Sequence, residues 1–286
     1  MDGMILVRQV YGEATGIHMT SDDKGQVTER GGNGVAGSIE KACRILKAMT
    51  DPRNARLTDI ATYCGMEKST AMRVLDALMR EEMVVRDPLS KRYTFGPEIA
   101  RIGSYGQERF DWRLAGRASM VRLAGEFEDT VILSVLSGVE TVCVDVQMGS
   151  YPIQANYQQL GSRRTLGVGS GGIALLAAMS DAEREAALSQ IPPRLAGFPR
   201  ISAELLSERI DAARRDGHAM LIDVVVDRIG GTAVAVKDRD GRPVAALSIV
   251  ALSERVTGRE KQLATALKRE AAIIGANLAD VGHGQR

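Results

Sequence analysis

The chain has 286 residues, 44% of them hydrophobic, and a net charge of +1, so it is long enough for about two domains with real cores. Near-neutrality gives no whole-chain electrostatic case for nucleic acid, 4% aromatic content argues against base-stacking platforms for RNA or single strands, and no apolar run reaches membrane-spanning length. Cys43, Cys64 and Cys143, like His18, His218 and His283, are scattered and form no ligand cluster; they imply buried free thiols in a cytoplasmic protein with no metal or other cofactor.

Residues 1–36 are rich in Gly, Thr, Asp and Glu and are expected to form a mostly disordered arm. Met4-Ile5-Leu6-Val7 is too short for a signal-peptide core, and Met4 and Met19 leave the start of the chain open. Ser38 to Met49 reads as an amphipathic helix with Ser38 as its cap and Ile39, Ala42, Ile45, Leu46 and Met49 as its buried stripe. Asp51-Pro52-Arg53-Asn54 ends it.

Leu57 to Arg80 predicts two short helices joined at Cys64-Gly65-Met66. Leu57, Ile60, Ala61 and Cys64 recur at helical spacing on the first, and Ala71, Val74, Leu75 and Leu78 on the second. Thr58 is expected to cap the first helix, and Gly65 permits the left-handed conformation that a sharp turn needs. Lys68, Ser69, Thr70 and Arg73 open the second helix with short hydroxyl and cationic side chains, which suit a helix entering a DNA groove. Taken alone, the pair also fits an ordinary helical hairpin.

The next stretch separates the two readings. Met83-Val84-Val85-Arg86, a turn at Asp87-Pro88-Leu89-Ser90, and Lys91-Arg92-Tyr93-Thr94-Phe95-Gly96 predict a β-hairpin with a basic tip. Three helices followed by such a hairpin make a winged helix-turn-helix over residues 37–97. Gly37 to Gly96 carries eleven Lys/Arg against eight acids, a local bias of +3. Lys91 and Arg92 are placed to reach phosphate or the minor groove.

Residues 98–128 predict a helical linker, expected to serve as a dimer element, that bends or breaks at Gly103, Gly106 or Gly116. From residue 129 to 281 the pattern becomes α+β. Strands are expected at Val131–Leu136, Thr141–Val146, His218–Ile222, Thr232–Val236 and Val244–Ala251. Helices are expected at Ile173–Met179 and Ala182–Leu188, after a cap at Ser202, and from Thr257 to Ala279. This is an antiparallel sheet flanked by helices, with a ligand pocket between sheet and loops.

Two features invite other readings. Gly167-Val-Gly-Ser-Gly-Gly172 fits GxGxxG, but no apolar strand is expected before it and no strand-end acid follows at the needed distance. Asp223 and Asp227 form an i,i+4 acid pair better explained as loop or salt-bridge partners. No nucleophile–base pair or metal motif supports an enzyme. A sensor acting through protein partners would leave the helix-turn-helix and wing unused.

In order and spacing, the chain resembles the IclR family of bacterial transcriptional regulators. Ser38-Ile-Glu-Lys-Ala-Cys-Arg-Ile-Leu46, Leu57-Thr-Asp-Ile-Ala61, Lys68-Ser-Thr70 with Arg73, and Arg86-Asp-Pro88 with Arg92-Tyr93 carry the first half. Leu160-Gly-Ser-Arg163, Gly169-Ser-Gly-Gly-Ile-Ala-Leu-Leu176, Gly217-His-Ala-Met220 and Asp240-Gly-Arg-Pro-Val-Ala-Ala-Leu-Ser-Ile249 carry the second. The resemblance implies an N-terminal winged helix-turn-helix, a linker helix and a C-terminal GAF-like effector domain. It also implies dimers or tetramers on palindromic double-stranded operators, with Thr58, Lys68, Ser69, Thr70, Arg73, Lys91 and Arg92 as DNA-contacting residues. The family's effector positions carry over to Ile153, Asn156, Ser170, Gly171, Leu221, Gly231, Ser248 and Val250. Leu221 stands where relatives often have an acid, Gly231 where a cysteine is common, and Arg228 where a glycine is usual. Those departures point to a less polar pocket for an aromatic or other organic acid.

Overall fold

The computed structural model describes residues 34–109, 112–155 and 158–281; the expected N-terminal arm up to residue 33 lies outside them. The chain divides into two compact units, one ending at Arg109 and the other following it.

The first unit comprises α1 (Gly34–Ala48), α2 (Leu57–Tyr63), α3 (Lys68–Arg80), β1 (Val84–Arg86), β2 (Tyr93–Phe95) and α4 (Pro97–Arg109). The three-to-four spacing in the sequence becomes one core of Ile45, Ala48, Ile60, Ala61, Cys64, Ala71, Leu75 and Leu78, closed by Val84 and Tyr93 from the hairpin. Each of its fully buried Ile and Leu side chains is worth about 1.5–3 kcal/mol of transfer free energy. β1 and β2 pair antiparallel, Val84 with Phe95 and Arg86 with Tyr93. Gly65 takes φ +62° at the turn, as its position requires.

Three local expectations are corrected. α1 spans Gly34–Ala48, so Ser38 lies inside the helix rather than at its N-terminal cap, and Ile39 is exposed because the helix starts before the core does. The cap position of α2 falls on Arg56, not Thr58; the Thr58 hydroxyl instead donates to the Asp59 carboxylate at 3.3 Å. Cys64 and Cys143 are buried, but Cys43 faces outward from α1.

The second unit begins with α5 (Trp112–Phe127) and continues through β3 (Thr130–Ser137), β4 (Glu140–Gln147), β5 (Arg163–Thr165), α6 (Ser170–Ala178) and α7 (Asp181–Leu188). A short 3-10 turn at Pro192–Leu195 leads to α8 (Ala203–Asp216), β6 (Ala219–Ile222), β7 (Ile229–Lys237), β8 (Pro243–Leu252), α9 (Ser253–Thr257) and α10 (Glu260–Val281). The strands form one antiparallel sheet in the order β5-β4-β3-β8-β7-β6. α5 and α10 cover one face, where Met120, Leu123, Leu133, Leu247, Ile249, Leu267 and Ile274 interlock. α6 and α8 cover the other, around Leu166, Ile173, Leu176, Leu206, Ile210 and Leu221.

Capping signals fare better here. Ser202 accepts from the backbone N–H of Leu205 to start α8, and Gly217 closes it in the left-handed region at φ +70°. β5 was not expected; it is a three-residue polar edge strand that only its partner β4 defines. The glycine run behaves as loop and helix together. Gly167 and Gly169 turn at φ +90° and +95°, and α6 starts at Ser170 rather than Ile173. A β-carbon on Gly172 would lie 2.8 Å from the backbone nitrogen of Gly167, so the loop folds back onto the helix only because both are glycines.

A candidate DNA-recognition face and effector cleft

α3 is two-sided. Ala71, Leu75 and Leu78 are buried, while Lys68, Ser69, Met72 and Arg73 face outward and Thr70 is half-buried. Among the described residues Lys68 and Arg73 make no side-chain hydrogen bond or ion pair, so their charges are free for phosphate or base edges. Met72 is 47% exposed between Ser69 and Arg73. Met72 lies off the Ala71, Val74, Leu75 and Leu78 stripe and carries neither charge nor hydroxyl, so no sequence signal singles it out. Thr58 is exposed at the start of α2, its hydroxyl turned to Asp59.

The wing is braced from within. The Asp87 carboxylate is hydrogen-bonded by the Ser90 side chain and by the backbone N–H of Ser90 and Leu89, which holds its pKa below the ordinary carboxylate value. Lys91 adopts φ +59°, and its exposed side chain stands at the tip. Arg92 donates to the Pro52 carbonyl at 3.3 Å, tying the wing to the loop after α1. Arg86 lies over the Tyr93 ring, 5.4 Å from its centre.

In the second unit two narrow clefts flank Ser170, each with about 20 Å³ of free interior. One runs between α6 and β7, past Leu221, Val225, Val226, Ile229 and Gly231. The other runs over β3, β4 and β8, past Ser134, Thr141, Gln158, Arg164, Gly171, Ser248 and Val250. Of the sequence-derived positions, Ser170, Gly171, Ser248 and Val250 thus meet in one cleft, and Ser170, Leu221 and Gly231 in the other. Ile153 is half-exposed and lines neither, and Asn156 lies outside the described residues.

Ser134, Ser170 and Ser248 are each more than nine-tenths buried. Among the described residues their hydroxyls make no hydrogen bond. Buried hydroxyls ordinarily find partners, and three that open into one cleft are a recognition surface for polar atoms of a ligand. Ser134, Thr141, Gln158 and Arg164 were missed in the sequence. Ser134 sits inside an apolar strand, and its direction depends on a register shift between Leu133 and Ser134.

The rival features resolve differently. A strand does precede the glycine run, but it is the antiparallel edge strand β5, so no βαβ nucleotide unit forms. Arg200 pairs with the Asp227 carboxylate, keeping its pKa low, and also donates to the Asp223 carbonyl; Ser253 donates to the Asp223 carboxylate. The acid pair therefore pins a loop.

Residues 38–88 match the IclR helix-turn-helix domain, and residues 108–275 match the C-terminal domain of the bacterial transcriptional regulator IclR. The chain belongs to the IclR family of bacterial transcriptional regulators. The HTH-type transcriptional regulator XynR of Escherichia coli is 26% identical over 230 residues, covering 78% of this chain and 89% of that protein. An IclR regulator structure from Alicyclobacillus acidocaldarius shares the fold with a TM-score of 0.70 at 23% identity, over 85% of this chain and 99% of that one. An IclR homologue from Microbacterium hydrocarbonoxydans, solved with 4-hydroxybenzoate, superposes with a TM-score of 0.68 at 22% identity, over 84% and 98%. This IclR-family chain therefore carries a DNA-binding helix-turn-helix and an effector domain, and its families and relatives are regulators rather than enzymes. Among the described residues no helix is long and apolar enough to cross a membrane.

Proposed function

We propose that the chain controls transcription by binding a palindromic operator as a dimer or a pair of dimers, and that an organic acid with an aromatic or other apolar body modulates this binding. The observation that carries the effector reading is the convergence of the unpartnered Ser134, Ser170 and Ser248 hydroxyls at the start of α6. Hydroxyls and helix N-terminal N–H groups suit a carboxylate, and Leu221, Val225, Val226 and Ile229 supply an apolar wall for its body. The relative solved with 4-hydroxybenzoate supports this class of ligand.

On the DNA side, Ser69, Thr70, Met72 and Arg73 address base edges in the major groove. Lys68 and Lys91 address phosphates, Arg92 braces the wing against the same backbone, and Thr58 meets phosphate from the start of α2. Ile102 and Tyr105 on α4 are 46% and 64% exposed and supply an apolar face for pairing two copies. A two-fold dimer then reads half-sites one or two helical turns apart, the single turn being about 34 Å. The effector acts only through its differential affinity for DNA-competent and DNA-incompetent arrangements.

The test is an equilibrium titration of duplexes flanking the gene, over a salt series, with and without benzoate, 4-hydroxybenzoate and small aliphatic acids. The expected result is specific, salt-sensitive binding that an aromatic acid shifts in the native chain and not in S170A/S248A. A shift produced only by a strongly polar, non-acidic ligand rejects the effector class.

A further inference from the structure

The end of α7, the 3-10 turn and the start of α8 surround a cavity of about 350 Å³ that shares no lining residue with either Ser170 cleft. Ile191, Ile201 and Leu206 are its buried residues, and Leu188 and Leu195 stand half-buried beside them. The Ser207 hydroxyl, on the exposed side, is the only side-chain polar atom among the described lining residues, and none of them is charged. The hollow follows from the sequence. α7 stops at Leu188, and Pro192-Pro193 turn the backbone before Ser202 caps α8. Proline has a fixed φ and no N–H, so the segment cannot continue α7 into the gap.

Size and chemistry together restrict what fits. An apolar cavity of about 150 Å³ with aliphatic walls stays dry and admits benzene, and small-molecule sites run from about 300 Å³ upward, so this one has room for a substituted ring. An ionised ligand would give up its hydration and meet no opposite charge among the lining residues. The lining is also far short of the roughly 20–30 residues a side that a stable protein interface needs. We propose that this cavity is a second ligand site, separate from the Ser170 clefts, and that it takes an uncharged, mainly apolar small molecule with the bulk of one aromatic ring. Leu206 gives its occupancy a route to the rest of the domain. A β-carbon on Gly167 would sit 2.9 Å from Leu206 Cδ1, so Leu206 occupies the space that the glycine leaves open. Gly167 starts the turn that leads through Gly169 to Ser170 at the head of α6. The ligand thus packs on the side chain that supports this loop. The site stands whether or not Ser170 meets an effector, because binding is read at its own side chains.

Titration of the full chain with toluene tests this, read by NMR at the methyl groups of Ile191 and Leu206 and at the Gly167 amide. Two variants accompany it: S207F, which fills the cavity from its exposed side, and L195D, which places a charge in its wall. Neither parent residue is fully buried, so both variants are expected to fold. Saturable shifts at all three positions are expected in the native chain and equally in S170A/S248A, with affinity lower by roughly tenfold or more in S207F and L195D. Benzoate, the charged counterpart, is expected to leave the Ile191 methyls unmoved. Absence of saturable shifts at Ile191 and Leu206, or shifts of native size in S207F and L195D, overturns the proposal. So does their loss in S170A/S248A, which would put the ring in the effector clefts. A lower sedimentation coefficient in both cavity variants also overturns it, because a second copy of the chain would then be the occupant.

Discussion

The Ser170 hydroxyl lies 2.9 Å from the point where a β-carbon on Gly231 would sit. Gly231 is therefore what lets the start of α6 close over β7 with a hydroxyl between them. G231A adds a methyl that the small, rotatable Ser170 side chain can avoid by turning. The cost in stability is expected to stay below about 1 kcal/mol, partly offset by the better strand propensity of alanine. The turned hydroxyl no longer faces the cleft. Thermal melting near that of the parent, with effector affinity down severalfold, is the expected pair of results. An unchanged effector titration places the ligand away from Ser170.

Gly96 shows the opposite case. A β-carbon there would stand 2.1 Å from the Glu82 carbonyl oxygen and 3.1 Å from the Met83 carbonyl carbon, both backbone atoms. The Gly96 N–H also bonds the Met83 carbonyl at 2.8 Å, so neither segment can yield without losing the base of the wing. G96A is expected to destabilise the first unit by about 3 kcal/mol or more. Because the second unit has its own core, effector binding should persist while DNA binding is lost. Differential scanning calorimetry would show the first unit melting earlier with the second transition in place.

These two glycines also show how far the sequence could be read. Elements with strong local signals were legible. The stripe of α3, the Ser202 cap and Gly217 stop of α8, and the short apolar runs of β7 and β8 each state their structure within a few residues. Features that a distant partner defines were not. β5 exists only because Glu140–Val142 offers it an edge, and the Thr58 cap failed because α2 starts from Arg56. The clefts depend on which way side chains point after a register shift, which explains why Ser134 and Arg164 escaped notice while Ser170 and Ser248, lying in recognisable motifs, did not.

Arg73 and Lys68 separate the two kinds of DNA contact. Arg73 lies on the outer face of α3 beside Met72 and Ser69. R73A is expected to cost about 1–3 kcal/mol on the best operator and to flatten preference at one base position. K68A should weaken all sequences alike and lower the slope of log affinity against log salt by about one. M72A should reduce discrimination at a thymine without changing the salt slope, because a thioether reads only a methyl surface. Competition against single-base operator variants at several salt concentrations measures all three. If R73A left both affinity and preference intact, α3 would not be the reading helix.

Glu270 offers a pH test in the second unit. Its side chain is 1% exposed on α10 and is paired with Arg122 of α5 and with Arg269. Burial alone would raise its pKa, but the hydrogen bonds from Arg122, Ser119 and Arg269 outweigh burial and hold it below the ordinary glutamate value. A lowered carboxyl pKa stabilises the fold above the unfolded-state value, about 4.3, and that contribution disappears as pH falls through the folded value. E270Q removes the charge and leaves two arginines without it. The expected loss at neutral pH is about 1–3 kcal/mol, moderated because both arginines are about half exposed. The gap between native and E270Q in denaturant midpoint should be constant from neutral pH down to about 5 and then narrow as the native carboxylate protonates. A gap independent of pH down to about 3 would mean that the pair acts by packing rather than by charge.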